Sequence, residues 1–189
     1  MCIRDRGKPL QTIESETPEP KGKEVLLKIT HSGVCHSDVH IHDGYFDLGG
    51  GNKLPVGQML NLPHTMGHEI EGEVAAIGPD VTDVEIGANV VAYPWIGCGE
   101  CATCKAGDEH YCNAPRQLGI QLPGGFADYC IVPDSKYILD YTGIRPGLAA
   151  TYMCSGLTAF GALKKFVNIT DNDHILIMGL GGVGMMGLQ

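Results

Sequence analysis

The sequence has no surplus of basic residues. Lys and Arg number 13 against 22 Asp and Glu, giving a formal charge of −9 and a pI near 5.2. Such a balance speaks against a nucleic-acid or anionic-membrane partner. No uninterrupted apolar stretch approaches the roughly 20 residues of a membrane-spanning helix. Met1 to Arg6 are followed by no apolar core and no small-residue cleavage site. No secretory signal is therefore read, and a cytoplasmic location is expected. These six residues also fit no periodic pattern and read as a frayed or non-native leader. Internal repeats and low-complexity tracts are missing as well. Composition excludes disorder, since 43% of the 189 residues are hydrophobic and 19% charged. That length suits one or two domains.

What the chain has in abundance is glycine and cysteine. Its 27 glycines imply many tight turns between short strands, or backbone held close to a ligand. Glu24 to Thr30 is rich in aliphatic and β-branched residues and reads as a strand. Residues 44–65 are rich in Gly and Pro and aperiodic, and read as a long surface loop. Glu69 to Ile77 alternates, Gly78-Pro79-Asp80 is a turn, and Val81 to Ala92 continues as β-structure. Gly125 to Val132 and Lys136 to Leu139 read as further strands. Short strands with Gly/Pro turns favour a small barrel or sandwich. The character changes near Pro146, where an Ala/Leu-rich run to Phe166 reads as a broken helix. Asp173 to Met178 then reads as a short buried strand of the parallel kind. A domain boundary is expected within residues 146–170.

Four of the eight cysteines are bunched as Cys98-x2-Cys101-x2-Cys104-x7-Cys112. With no secretory signal, thiols in a reducing cytosol stay free for metal or chemistry. Four thiolates on short spacers can wrap one tetrahedral zinc ion at about 2.3 Å per bond, with Gly97, Gly99 and Gly107 supplying the turns. A closed four-sulfur shell has no open position, so a structural zinc lobe is expected over residues 97–113. Bacterial ferredoxins differ in the last gap of their cysteine run, and free thiols or a redox pair are the plainer alternatives.

Other candidates are scattered. Cys35 lies in Gly33-Val34-Cys35-His36-Ser37-Asp38-Val39-His40, His68 in Gly67-His68-Glu69-Ile70-Glu71-Gly72, and Cys154 after Thr151-Tyr152-Met153. Singly, each reads as a buried thiol or an ordinary histidine. Together, two cysteines and a histidine are a known catalytic zinc shell with a fourth position for water or substrate. Nothing in the sequence alone brings the three regions together. Near the end, Gly179-x-Gly181-x-x-Gly184, with Gly182 and Val183 inside it, directly follows the apolar Ile175 to Met178. Strand, glycine loop and helix in that order are the context of dinucleotide binding: one Gly for the turn, one for approach to the pyrophosphate, one for helix packing.

The order of Gly-x-Cys-His-Ser-Asp, Gly-His-Glu-x-x-Gly, a four-cysteine lobe and Gly-Leu-Gly-Gly-Val-Gly resembles the zinc-containing medium-chain alcohol dehydrogenases, from about Lys23 to the last residue. The resemblance implies a mixed β-rich and α/β fold. Residues 1–150 would form a GroES-like β-barrel catalytic domain, and residues 151–189 a connecting helix and the first strand, loop and helix of a Rossmann domain. It implies that Cys35, His68 and Cys154 hold a catalytic zinc, making two Zn2+ per chain with the lobe. Ser37 would take the alcohol proton and His40 would pass it to solvent through the cofactor ribose. Asp38 and Glu69 would orient and tune the ligands. His36 would face the cofactor pyrophosphate, and Trp95, the only tryptophan, would wall the substrate pocket. Without the resemblance, Ser37 and Asp38 read as a turn or helix cap, and Trp95 as a structural residue beside the lobe.

The implied activity is reversible hydride transfer between a small-molecule alcohol and NAD or NADP, giving an aldehyde or ketone, in a homodimer or homotetramer. An acidic residue about 20 positions past the glycines would separate the two coenzymes. The chain ends five residues after Gly184, so on its own it is expected to show little dehydrogenase activity and to aggregate. The segment between Cys35 and His68 is longer than is usual in this family, with the added length in Gly44 to Leu62, expected as a flexible loop near the active-site mouth. His31, His42, His64, His110 and His174 read as surface or loop histidines and Cys130 as a packed thiol. Two other readings stand beside this one. A polyol or amino-alcohol dehydrogenase of the same superfamily is the first, with Cys154 counting against the polyol branch. A non-catalytic zinc-stabilised binding module is the second, and it leaves Cys35, His68 and Cys154 unexplained.

Overall fold

The computed structural model describes residues 2–3, 8–56, 60–166, 168, 170 and 173–189. In chain order, β1 (Cys2–Ile3) pairs antiparallel with β2 (Gln11–Thr12), and β3 (Val25–Gly33) leads into helix α1 (His36–Asp43). A hairpin of β4 (Tyr45–Asp47) and β5 (Lys53–Pro55) follows, then β6 (Glu69–Ile77) and β7 (Asn89–Ala92). The short helix α2 (Ala102–Lys105) lies in the cysteine-rich lobe, before β8 (Tyr129–Val132) and β9 (Ile138–Asp140). Helix α3 (Ala149–Thr151), a π-helical stretch Tyr152–Gly156 and helix α4 (Leu157–Leu163) run on from one another, and α5 (Gly182–Gly187) comes last.

The centre of the molecule is an antiparallel sheet in the order β8-β3-β6-β7-β9. Side chains two apart on a strand share a face. Val25 and Leu27 on β3, Ile70 and Val74 on β6, Val90 and Ala92 on β7, and Cys130 and Val132 on β8 therefore bury together. Ile96, Leu118 and Tyr137 complete this aliphatic core. Gly72, at the middle of β6, lets β3 come close: a Cβ there would sit 2.6 Å from the Lys28 carbonyl oxygen.

The expected barrel is an open, curled sheet among the described residues. Four inter-strand spacings of about 4.8 Å would set the edges of a flat five-stranded sheet about 19 Å apart. Residues 133–137 alone join the two edge strands, β8 and β9, and Ser135–Tyr137 are wound in a 3-10 turn rising only about 2 Å per residue. The link is too short to cross a flat sheet, so the sheet must curl. Pro133, which has no N–H, and the turn occupy the seam, and no ladder joins β8 to β9.

Several local expectations are corrected. The surface loop at residues 44–65 contains the β4–β5 hairpin, closed by Gly49, Gly50 and Gly51 at φ of 81°, 61° and 85°; its residues 57–59 lie outside the described set. Within the supposed leader Cys2–Ile3 pairs with Gln11–Thr12, and its residues 1 and 4–6 are not described. Only Asn89–Ala92 of the β-structure expected from Val81 is a strand. The apolar run Ile175 to Met178 is not a strand. A strand exists only by pairing with a neighbour, and no strand pairs with this run among the described residues. Ile175, Leu176 and Met178 are 53%, 84% and 89% exposed. His64, expected at the surface, is buried, with Nε2 2.9 Å from the Gly119 carbonyl oxygen. No described helix is long and apolar enough to cross a membrane.

Leu27→Ala is expected to lower stability by about 2–5 kcal/mol through lost burial and a residual cavity. Leu176→Ala is expected to change it by less than about 0.5 kcal/mol. Urea unfolding of both variants, followed by circular dichroism, checks the contrast.

Candidate functional site

Sheet register assembles the site. Gly33, the last residue of β3, pairs with Glu69, the first of β6. Cys35 lies two residues past that pair and His68 one residue before it, so two motifs 33 positions apart arrive at one corner. Gly33 has to be glycine here, because a Cβ would fall 2.0 Å from Glu69 Oε2.

Asp38 joins the two motifs. It is buried in the first turn of α1, where Cys35 is the N-cap residue. Its Oδ2 accepts the Cys35 N–H at 2.9 Å. Its Oδ1 accepts the Gly67 N–H at 3.3 Å and lies 3.2 Å from His68 Nδ1. One carboxylate thus acts as helix cap and as orienter of the imidazole, turning His68 Nε2 toward the thiols. The third group comes from the far end of the chain. The π-helical stretch turns Cys154 inward, with Sγ 3.3 Å from His68 Nε2 and 3.8 Å from Cys35 Sγ. Cys35, His68, Cys154 and a Glu69 oxygen all lie within 4.8 Å of one another.

This crowding governs ionisation. Cys154 and then His68 hold the Cys35 thiol down at about 3. The neighbouring Cys35 and burial push the Cys154 thiol far up. Burial opposes charge on His68, but Asp38 and Cys35 outweigh it and lift the ring to about 10. Burial and then the Cys35 charge raise Glu69 to about 7. The anion forms on Cys35, and its charge and the burial around it suppress ionisation of Cys154 and Glu69. A divalent cation among them would relieve that repulsion and let both thiols ionise. The donor set therefore fits a zinc ion.

Around this corner lie the remaining candidates. Trp95 packs its ring 5.8 Å from that of His68 and donates from Nε1 to the Met153 carbonyl at 2.9 Å, one residue before Cys154. It also lines an apolar cavity of 280 Å3 with Ser37, Ile41, Phe46, Leu60 and Ile120. His40 stacks on His36 (4.6 Å between centroids) and meets the Phe46 ring at a tilt (5.0 Å). On the other side, a cleft of 360 Å3 has Cys35, His36, Glu69, Gly182 and Val183 in its wall. Gly179 takes a φ of 90°, and a Cβ on Gly184 would lie 2.0 Å from the Gly179 carbonyl oxygen. Gly181 is the N-cap of α5.

The four-cysteine lobe forms a second cluster. The edge of a tetrahedron is about 1.63 times its centre-to-corner distance, so zinc–thiolate bonds of about 2.3 Å require sulfurs about 3.8 Å apart. Cys98 to Cys104, Cys101 to Cys104 and Cys101 to Cys112 measure 3.9, 3.4 and 3.8 Å, and none is a disulfide. Backbone N–H groups of Cys98, Cys101, Cys104 and Ala114 point at these sulfurs at 3.3–3.4 Å, which favours thiolates. Glu109 ties the lobe to the sheet, accepting from Gly97 N–H, Tyr137 Oη and, at 2.6 Å, Lys136 Nζ.

Comparison with known proteins agrees with this architecture. The alcohol dehydrogenase GroES-like domain family matches residues 21–142, and the chain belongs to that family. An NAD-dependent alcohol dehydrogenase of Saccharolobus solfataricus is 40% identical over 97% of this chain and 52% of its own length. An acetophenone reductase from Geotrichum candidum, solved in complex with NAD, superposes with TM-score 0.83 at 31% identity over 99% of this chain and 52% of that one. A cobalt- and zinc-bound alcohol dehydrogenase from Pyrobaculum aerophilum does so with TM-score 0.80 at 28% identity, covering 99% and 55%. The chain spans about half the length of the curated relatives it matches.

Sequence reasoning missed Glu71, Glu109 and Phe46. Glu71 had a signal, since it follows Glu69 by two on one strand and so shares its face. Phe46 had none, because its position depends on a hairpin hidden in a Gly-rich segment.

Asp38→Ala is expected to remove the Asp38 side of the α1 cap and leave the Gly67 N–H and the His68 ring without their acceptor, a loss of about 2–5 kcal/mol in the metal-free chain. It should also weaken zinc binding at the Cys35 corner 10–100-fold by freeing the His68 ring. Denaturant unfolding and competition with a chromophoric chelator read the two effects separately.

Proposed function

We propose that this chain supplies the catalytic half of a zinc-dependent, NAD-linked alcohol dehydrogenase. The observation that carries the reading is the convergence of Cys35, His68 and Cys154 on one corner beside a small apolar cavity. A zinc-stabilised binding module would need only the four-cysteine lobe. Relatives described as NAD-dependent favour NAD over NADP.

In this proposal Cys35, His68 and Cys154 hold a catalytic zinc, and Cys98, Cys101, Cys104 and Cys112 a structural one. Held at the corner, the catalytic ion would supply Lewis-acid chemistry, lowering the pKa of an alcohol hydroxyl. The chain does the rest. Trp95, Phe46, Leu60 and Ile120 receive the apolar part of the alcohol and exclude water. Ser37, on the same cavity wall, accepts the hydroxyl proton, and His40, one turn along α1, carries it outward. Asp38 fixes the imidazole ring of His68, and Glu69 adds a buried carboxylate beside the three ligands, where it would orient and tune them. The cleft bordered by His36, Gly182 and Val183 takes the coenzyme, with the turn Gly179 to Gly184 beside its pyrophosphate. The assignment divides the chain into a catalytic domain over residues 1–150 and the opening of a coenzyme domain over 151–189. The full enzyme would be a cytoplasmic homodimer or homotetramer.

The reading is tested in a chimera in which this chain replaces the matching half of the Saccharolobus solfataricus relative. NADH formation with primary and secondary alcohols is expected, and Ser37→Ala should lower kcat by about 10²–10⁴-fold with zinc content unchanged. A folded, zinc-loaded chimera that oxidises no alcohol would contradict the proposal.

A further inference from the structure

Glu71 is a buried carboxylate that the proposed chemistry does not use. Its residue is 1% exposed, in the third position of β6. Oε1 lies 3.1 Å from His31 Nδ1 on the paired strand and accepts from Tyr141 Oη at 3.2 Å. Gly147 donates its N–H to both carboxylate oxygens at 3.0 Å. Three segments thus meet on one side chain: β3, the turn after β9, and the residue just before α3 is entered.

A carboxylate out of water needs such partners, and partners deprived of it are left unsatisfied. The connection to the metal corner is short. Helix α3 has no capping side chain of its own, so Gly147 on Glu71 is the polar anchor of its start. From there Ala149 and Ala150 bury against the sheet, and the helical path reaches Cys154 within seven residues of Gly147. Glu71 itself stands three residues past His68, on the strand that begins directly after it. One end of the anchor is fixed to the strand that follows His68, the other to the helix that carries Cys154.

We infer that Glu71 is a positioning residue: through Gly147 and Tyr141 it sets the distance between the Cys154 sulfur and the Cys35–His68 pair. The inference rests on the reading of that corner as a metal site, and its test keeps the two apart. In the metal-free chain, diamide removes the two thiol hydrogens and joins sulfurs that are close together; peptide mapping then follows the Cys35–Cys154 disulfide. Glu71→Ala is expected to slow this cross-link about tenfold or more. Glu71→Gln, which keeps one acceptor oxygen, should restore part of the rate, and Tyr141→Phe should slow it several-fold. Cobalt affinity at the corner should fall about 10–100-fold in Glu71→Ala, with the four-cysteine lobe unaffected.

Cross-linking at the wild-type rate in both Glu71→Ala and Tyr141→Phe would overturn the inference. So would an equal loss of cobalt from both sites, the mark of general loosening. If Glu71→Ala fails to fold, Tyr141→Phe decides alone. A wild-type chain that binds cobalt only in the lobe would refute the metal reading, while the cross-linking rates would still decide the role of Glu71.

Discussion

The pairing of Gly33 with Glu69 is the constraint on which the site depends. Strand side chains alternate with period two, so a slip of β3 by one residue against β6 would turn Val25 and Leu27 out of the core. Burial of those side chains fixes the register in the core, and with the irregularity between Ile29 and His31 it sets where Cys35 and His68 meet. Gly33 makes the corner tight, because any larger residue would strike the Glu69 carboxylate. Hydrophobic packing in the sheet is converted into placement of polar groups beyond its edge.

The electrostatics of that corner follow from the packing. Two thiols and a carboxylate that can be anionic crowd within 4.8 Å of one another beside the His68 imidazole, so they cannot all ionise together and protons are shared instead. The tension shows in opposite shifts of the two thiols, Cys35 down and Cys154 up. The four-cysteine lobe resolves the same problem locally, with backbone N–H groups aimed at the sulfurs of a single loop. The corner has to recruit its groups from three parts of the chain, and it relies on buried carboxylates to hold them: Asp38 between Cys35 and His68, Glu71 between β6 and the approach to Cys154.

Short-range patterns were legible in the sequence, and long-range ones were not. The Cys98–Cys112 lobe could be read from spacing because its ligands lie within one loop. The strands Val25–Gly33 and Glu69–Ile77 could be read from their aliphatic content. Cys154 had no local mark at all, and only resemblance to a family joined it to Cys35 and His68. The β4–β5 hairpin was hidden because three consecutive glycines carry no side-chain pattern. Ile175 to Met178 has the composition of a buried strand but pairs with no strand among the described residues, and composition cannot supply a partner. Asp38 shows why two readings of one residue need not compete: its two oxygens perform the cap and the ligand orientation at once.

The central claim is that three scattered residues form one metal-holding corner, separate from the lobe. Elemental analysis of zinc per chain tests it most directly, on the wild type, Cys35→Ala and Cys104→Ala. The account predicts two zinc ions in the wild type and one in each variant, lost from a different site in each. One zinc in the wild type and in Cys35→Ala, with none in Cys104→Ala, would contradict it.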